Sequence, residues 1–324
     1  YNLRSIGGVF MKNMTISRAA EACGGKIYNS DGKALLRHVV IDSRAIQQGD
    51  LFVAYKGEKV DGHNYVGSAF EKGAGCCLVE HLVDVAAPQI VVENVQTALE
   101  AITRELRKDV DIPLVGITGS VGKTSAKEMI WSVLSTKMNI HKTDKNLNNQ
   151  IGVPMTMSRI EPEHQAAVVE MGISDFGDMT VLAQMVKPQI AVFTVIGHAH
   201  LEFLHDLEGV LKAKTEMLEF LDDDALVIIN GDDEMLRKVN CRQRIMSFGM
   251  GEACDVRAEN VRLNEKGESC CRIVCGERSF DVTVPAFGQH MIYAALEGAA
   301  VGIAMGLSDE EIIKGIAAYA YQMR

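Results

Sequence analysis

Aromatic side chains are scarce in this sequence of 324 residues: 6% in all, with a single Trp. That scarcity argues against a surface that stacks nucleobases along a strand. Positive charge is in deficit too, with 33 Lys and Arg against 43 Asp and Glu and a net charge of −10. An acidic chain is a poor general binder of nucleic acid, although loops and helix ends can still build a local anion site. No apolar run reaches the length of a membrane span. The opening YNLRSIGGVF lacks the hydrophobic stretch of a secretion signal, and Met11 and Met14 are candidates for the natural start. The eight cysteines include no CxxC pair, and the adjacent pairs Cys76–Cys77 and Cys270–Cys271 suit neither a disulfide nor zinc. They read as reduced structural thiols of a cytoplasmic protein. Repeats and low-complexity tracts are missing as well.

What is present suits two packed cores. Apolar residues make up 47% of the chain, and its length suggests two domains. Residues 14–110 read as a small α/β unit. A helix at Ile16–Cys23 precedes strands at Val39–Ile41, Leu51–Ala54, Cys76–Glu80 and Ile90–Glu93, with a helix at Tyr65–Lys72. Asp111–Pro113 reads as a linker, since proline disfavours helix in its predecessor. Residues 111–324 alternate strand and helix, which implies a parallel sheet covered on both faces. The strands are expected at Leu114–Ile117, Ala167–Glu170, Ile190–Ile196 and Leu226–Ile229. The helices are expected at Ala126–Leu134, Asp178–Met185 and Leu207–Leu221. Residues 245–284, with turns at Asn264–Gly267 and Gly276–Glu277, read as an antiparallel hairpin extension, followed by an Ala- and Gly-rich helix at Met291–Met305.

The densest chemistry lies in VGITGSVGKT, Val115–Thr124. A strand runs into a glycine-rich turn and then a helix, so several backbone N–H groups converge where a phosphate can sit. Gly119, Ser120, Gly122, Lys123, Thr124 and Ser125 form this candidate loop. Lys123 offers a mobile positive charge, and the Thr124 hydroxyl a ligand for Mg²⁺. The loop is a variant, because a strict G-x-x-x-x-G-K-[ST] would need glycine at Ile117.

Other candidates gather around that loop. Glu170 ends the apolar run Ala166–Val169, and carboxyl ends of strands line the ligand crevice of an open α/β sheet. His198 and His200 follow another strand end, where a neutral imidazole can bind metal. Lys214 occupies a position that the apolar helical stripe of 207, 210, 211, 217, 218 and 221 would bury. Burial lowers a lysine's pKa, and a neutral amine can take up CO₂ as a carbamate. On spacing alone, a lysine whose stem packs on the core while its head reaches water is the plainer reading. The asparagines of Lys145–Gln150 can bind phosphate oxygens or cap a helix, and periodicity does not separate the two.

Taken together, these motifs resemble the ATP-dependent Mur ligases of bacterial cell-wall synthesis over nearly the whole chain. The first domain contributes DSR (Asp42–Arg44), GDLFVAYKGEKVDGHNY (Gly49–Tyr65) and EKGAGCCLVE (Glu71–Glu80). The second contributes GITGSVGKTSAKE (Gly116–Glu128), NLNNQIGVP (Asn146–Pro154), EMG (Glu170–Gly172) and GHAHLEFLHDLEGVLKAKTEM (Gly197–Met217). GSVGKTSAKE with NNQIGVP favours the member that adds the final dipeptide.

The resemblance implies that Ser43, Arg44, Asp61 and His63 serve the nucleotide end of a UDP-N-acetylmuramoyl-tripeptide. It implies ATP at the loop, with Asn149 near the reacting phosphate and His290 beside adenine. It further implies Mg²⁺, two ions in all, held by Thr124, Glu170, His200 and a carbamylated Lys214. Catalysis would rest on Lys123, Glu170, His200 and Lys214. The second substrate would be D-alanyl-D-alanine, and the enzyme would be a cytoplasmic monomer with no membrane span. Where the family often carries Asn, this chain has Ala294. The family also has a third, C-terminal domain, which is expected to be absent from these 324 residues, leaving a piece that binds its nucleotides but ligates weakly. Open alternatives are a relative that ligates another amino acid or a folate-type glutamate tail, a P-loop ATPase or kinase without ligation, and a non-catalytic nucleotide-binding module.

Overall fold

A computed structural model describes residues 11, 13–199, 201–286 and 288–319. Contacts divide the chain into two units. The first is Tyr1–Asp111 with Gln150–Pro162, and the second is Ile112–Asn149 with Glu163–Arg324.

The first unit holds five strands: β1 (Lys26–Tyr28), β2 (Val39–Val40), β3 (Leu51–Val53), β4 (Cys76–Val79) and β5 (Gln89–Val91). They lie in the order β1-β5-β4-β3-β2, parallel except for β1. β4 is buried at every position, as a parallel strand covered on both faces must be. The helix Ile16–Cys23 begins where the Thr15 side chain accepts from the Arg18 N–H, and ends at Gly24 with φ 66°. The helix expected at Tyr65–Lys72 is a 3₁₀ turn, Gly62–Tyr65, running into the helix Val66–Glu71. The helix Val95–Arg107 is an addition to the sequence reading. Its buried stripe Val95, Ala98, Leu99, Ile102 and Leu106 has helical spacing, and Asn94 caps it. The short helix Gly152–Met157 packs against it, and the Ser158 hydroxyl accepts from the Val39 N–H at 3.0 Å.

The second unit is built on nine strands: β6 (Leu114–Thr118), β7 (Ile140–Lys142), β8 (Ala166–Glu170), β9 (Ile190–Phe193), β10 (Leu226–Asn230), β11 (Arg244–Gly249), β12 (Val256–Leu263), β13 (Ser269–Cys275) and β14 (Arg278–Val284). Their order is β14-β13-β12-β11-β10-β9-β6-β8-β7. β7 through β12 run parallel across the sheet, and β12, β13 and β14 are antiparallel. The expected antiparallel extension is present over β12–β14, and it begins later than residue 245. β11 extends the parallel sheet, and the two predicted turns join three antiparallel strands fused to its edge. Phe280, Val282 and Val284 alternate with exposed neighbours, so one face of that edge is packed and the other is wet.

β6 lies between β8 and β9, and the chain crosses it between those two strands. That crossing is the topological switch point where a doubly wound sheet opens its crevice. The helix Lys123–Leu134 packs against Gln289–Ala304 and Asp309–Ala317. At Gly315 a Cβ would lie 2.4 Å from the Val133 Cα, so only glycine permits that approach. The helix expected at Leu207–Leu221 ends at Thr215 and tightens into a 3₁₀ turn, Glu216–Phe220. All eight cysteines are free thiols.

Candidate active site

The glycine loop links the end of β6 to the helix Lys123–Leu134. Gly119 has φ 154°, and a Cβ there would sit 1.9 Å from the Thr194 hydroxyl. Gly122 has φ 85° and precedes the helix, whose first N–H groups have no helical acceptor. Ser120 stitches the loop to the segment after β9. Its N–H donates to the Val195 carbonyl at 2.8 Å, and its hydroxyl donates to the Gly197 carbonyl at 3.0 Å. Thr194 completes the tie by donating to the Val121 carbonyl at 2.6 Å. Ser120 thus shapes the loop through its side chain, and its neighbours present the backbone donors.

Lys123 folds back over the loop, its ammonium donating to the Gly119 carbonyl at 2.7 Å and the Ser120 carbonyl at 3.3 Å. Burial lowers its pKa from the ordinary lysine value, and Glu170 opposes that shift. The Thr124 hydroxyl donates to Glu170 Oε2 at 3.3 Å. Glu170 is 2% exposed at the end of β8, and it accepts from Asn148 Nδ2 at 2.8 Å and faces Lys127 Nζ at 3.5 Å. Lys214 is 2% exposed, and burial with the nearby Lys123 charge pushes its pKa down to about 7. The structure therefore gathers Gly119, Gly122, Lys123, Thr124, Glu170 and Lys214 about one crevice.

The remaining expected residues fall as follows. Asn149 is exposed beside the loop that carries Asn148, and it is Asn148 that reaches Glu170. His198 is exposed after β9, and His200 lies outside the described residues. Ser125 and His290 line a cavity of about 330 Å³ beside the loop, which Gly122, Thr194, Asn230 and Glu297 also wall. Oxygen donors at Thr124 and Glu170 suit a hard cation that keeps waters and phosphate oxygens as further ligands. Among the described residues no three His, Cys, Asp or Glu cluster to hold a metal by themselves.

In the first unit, Ser43 and Arg44 line a cavity of about 570 Å³ together with Asp42, Tyr55, Tyr65 and Ile151. Arg44 is exposed and paired with Asp42 at 2.8 Å, which pulls the Asp42 carboxyl down to about 2. Asp61 and His63 are bonded to each other in the neighbouring loop. Asp61 accepts from the His63 N–H at 3.0 Å and pairs with His63 Nδ1 at 2.6 Å. His63 is 5% exposed, its Nε2 accepts from the Glu80 N–H at 2.9 Å, and its ring stacks on His81. Both ring nitrogens are spent on holding the loop in place.

Sequence reasoning missed Asn148, Lys127, Thr194 and Glu297. Lys127 had a signal, since it lies one turn after Thr124 on the helix that follows the loop. It is 1% exposed, and its ammonium also donates to the Lys145 carbonyl at 3.1 Å. Asn148 had none to separate it from Asn146 and Asn149.

Comparison with known proteins adds to this geometry. Residues 117–302 match the Mur ligase middle domain, and residues 36–114 match the Mur ligase family, catalytic domain. A UDP-N-acetylmuramoyl-tripeptide–D-alanyl-D-alanine ligase of Escherichia coli is 34% identical over 312 residues, covering 95% of this chain and 68% of the relative. Its namesake in Bacillus subtilis is 32% identical over 311 residues, covering 94% and 67%. The crystal structure of MurF from Acinetobacter baumannii superimposes with a TM-score of 0.87 at 30% identity, covering 95% of this chain and 68% of that one. MurF ligase from Thermotoga maritima, solved in complex with ADP, gives 0.79 at 27% identity, covering 88% and 66%. The chain thus spans about two thirds of the length of the relatives it matches.

Proposed function

The chain belongs to the Mur ligase family, and we propose that it is the ATP-dependent ligase that joins D-alanyl-D-alanine to UDP-N-acetylmuramoyl-tripeptide. The observation that carries this reading is the Thr124 hydroxyl on the Glu170 carboxylate in front of the glycine loop, with the Lys123 and Lys214 amines in the same electrostatic neighbourhood. A carboxylate anion is a poor electrophile with a poor leaving group, so it must be activated. One of its oxygens attacks the γ-phosphorus of ATP, the bond to the bridging oxygen breaks, and ADP leaves. The free amine of the dipeptide then attacks the acyl carbon, loses a proton to water, and expels inorganic phosphate.

Two anions meet in the first step, so positive charge is the main requirement. Lys123 supplies a mobile cation, and the loop N–H groups supply fixed dipoles. Thr124 and Glu170 would hold Mg²⁺, which neutralises charge shared between the phosphate oxygens. Lys127 and Asn148 hold the Glu170 carboxylate in place. Lys214 has the low pKa that carbamylation needs, its amine bonding to the carbon of CO₂ and releasing one proton. Carbamylated, it would join His200 as a ligand for a second ion. The cavity by His290 suits the base of ATP, and that beside Ser43 and Arg44 the uridine end of the sugar nucleotide. Asn149 would lie near the transferring phosphate. We read the enzyme as a monomer of the bacterial cytoplasm. Among the described residues no helix is long and apolar enough to cross a membrane.

The test is incubation with ATP, Mg²⁺, the UDP-linked tripeptide and D-alanyl-D-alanine, followed by mass analysis. The expected result is a UDP-linked pentapeptide with one ADP released per amide bond. ADP release indifferent to the dipeptide would point to an ATPase or kinase instead.

A further inference from the structure

One face of the helix Gln289–Ala304 carries His290, Tyr293, Ala294 and Glu297, spaced i, i+3, i+4 and i+7. All four line the cavity beside the glycine loop. Their polar groups differ in what they are already doing. The Tyr293 hydroxyl donates to Asp232 Oδ2 at 2.9 Å, and that carboxylate also accepts from the Met250 and Gly251 N–H groups at 2.6 and 3.0 Å. His290 is exposed at the mouth, and Ala294 has nothing to offer.

Glu297 is the anomaly. It is 3% exposed, and among the described residues its carboxyl group has no hydrogen-bond or ion-pair partner. Stripping water from a carboxyl group without replacing its hydrogen bonds is costly, and an apolar residue would fill the same place more cheaply. Among the described residues nothing uses the group, yet it faces a cavity of about 330 Å³, within the range that takes a small ligand. Burial raises its pKa well above the usual carboxylate range. A neutral carboxylic acid presents one O–H donor and one C=O acceptor side by side.

We propose that Glu297 reads the base of the bound nucleotide, its O–H donating to adenine N1 and its C=O accepting from the exocyclic N6 amine. The inference rests on the ATP-binding reading above and adds to it a specificity residue. Gly122, at the start of the loop helix, walls the same cavity, so phosphates at the loop and a base against Glu297 belong to one ligand. An ionised carboxylate would accept only and would repel N1, which makes the neutral acid the form complementary to adenine.

Calorimetric binding of ATP and of purine riboside triphosphate, which lacks the N6 amine, tests this on the whole chain. The wild type is expected to prefer ATP by up to about tenfold, the worth of the one hydrogen bond that the N6 amine makes. Glu297→Gln keeps a donor beside an acceptor and should keep the preference. Glu297→Ala should bind both nucleotides about equally and melt no lower than wild type. An undiminished preference in Glu297→Ala would overturn the proposal. So would equal weakening of both nucleotides, which marks a merely structural group. Failure of the wild type to bind either triphosphate would instead remove the ATP reading itself.

Discussion

Beside the first unit's cavity the ions stand in water and are already paired, Arg44 to Asp42. Around the second unit's crevice the ionisable groups are buried: Lys127 at 1% exposure, Glu170 and Lys214 at 2%, Glu297 at 3%. Exposed pairs gain little and cost little, so they can be spent on recognising a ligand without consequence for the fold. Buried polar and charged groups are destabilising unless matched, and here the matching is incomplete. Glu170 has Thr124, Asn148 and Lys127, whereas Lys214 faces another cation and Glu297 faces nothing among the described residues. Lys214 and Glu297, both shifted by burial, are the groups there whose matching must come from a ligand.

The contrast breaks most sharply at Lys123. Lys123→Ala should lower ATP-dependent ligation by about 10²–10³-fold while leaving the melting temperature close to that of the parent. Coupled assay of ADP release and thermal unfolding check the two halves separately. A loss of activity matched by a collapse in stability would show that Lys123 serves the fold.

Lys214 should behave in the opposite sense on stability. Its pKa falls from an ordinary lysine value to about 7 in the folded chain, so the unfolded chain binds more protons between those limits. The penalty is full below about pH 7 and fades as pH rises towards the ordinary lysine value. Lys214→Met should therefore stabilise the protein by a few kcal/mol in CO₂-free acidic-to-neutral buffer, with no gain in strong alkali. Denaturant titration across that range measures it. In ¹³C-bicarbonate the wild type should show a carbamate carbon resonance that the variant lacks.

Arg44→Ala is the mildest case. It should leave unfolding unchanged and weaken binding of the UDP-sugar substrate by about tenfold. A fall in melting temperature would erase the contrast between the two cavities.

Much of this was legible in the sequence, for physical reasons that vary by element. The loop could be read because a strand, two positive-φ glycines, GKT and a helix must occur in that order for phosphate to fit. The apolar stripe put Lys214 on the buried face, but spacing alone favoured a head that reaches water, and its 2% exposure overturns that reading. Residues 150–162 were expected with the second unit, and nothing local reveals that they pack with the first. β11 could not be assigned its partner, because parallel pairing is set by topology and not by its own residues. The bond from the Glu80 N–H to the second nitrogen of His63 could not be read, because the two residues meet only in the fold. Glu297 sits in an Ala- and Gly-rich helix where only the cavity reveals that one acid faces empty space.

Oxygen tracing tests the central claim most directly. With the tripeptide's terminal carboxylate labelled with ¹⁸O, activation by phosphoryl transfer predicts that each amide bond formed delivers one labelled oxygen to inorganic phosphate. Amide product accompanied by unlabelled phosphate would contradict the account.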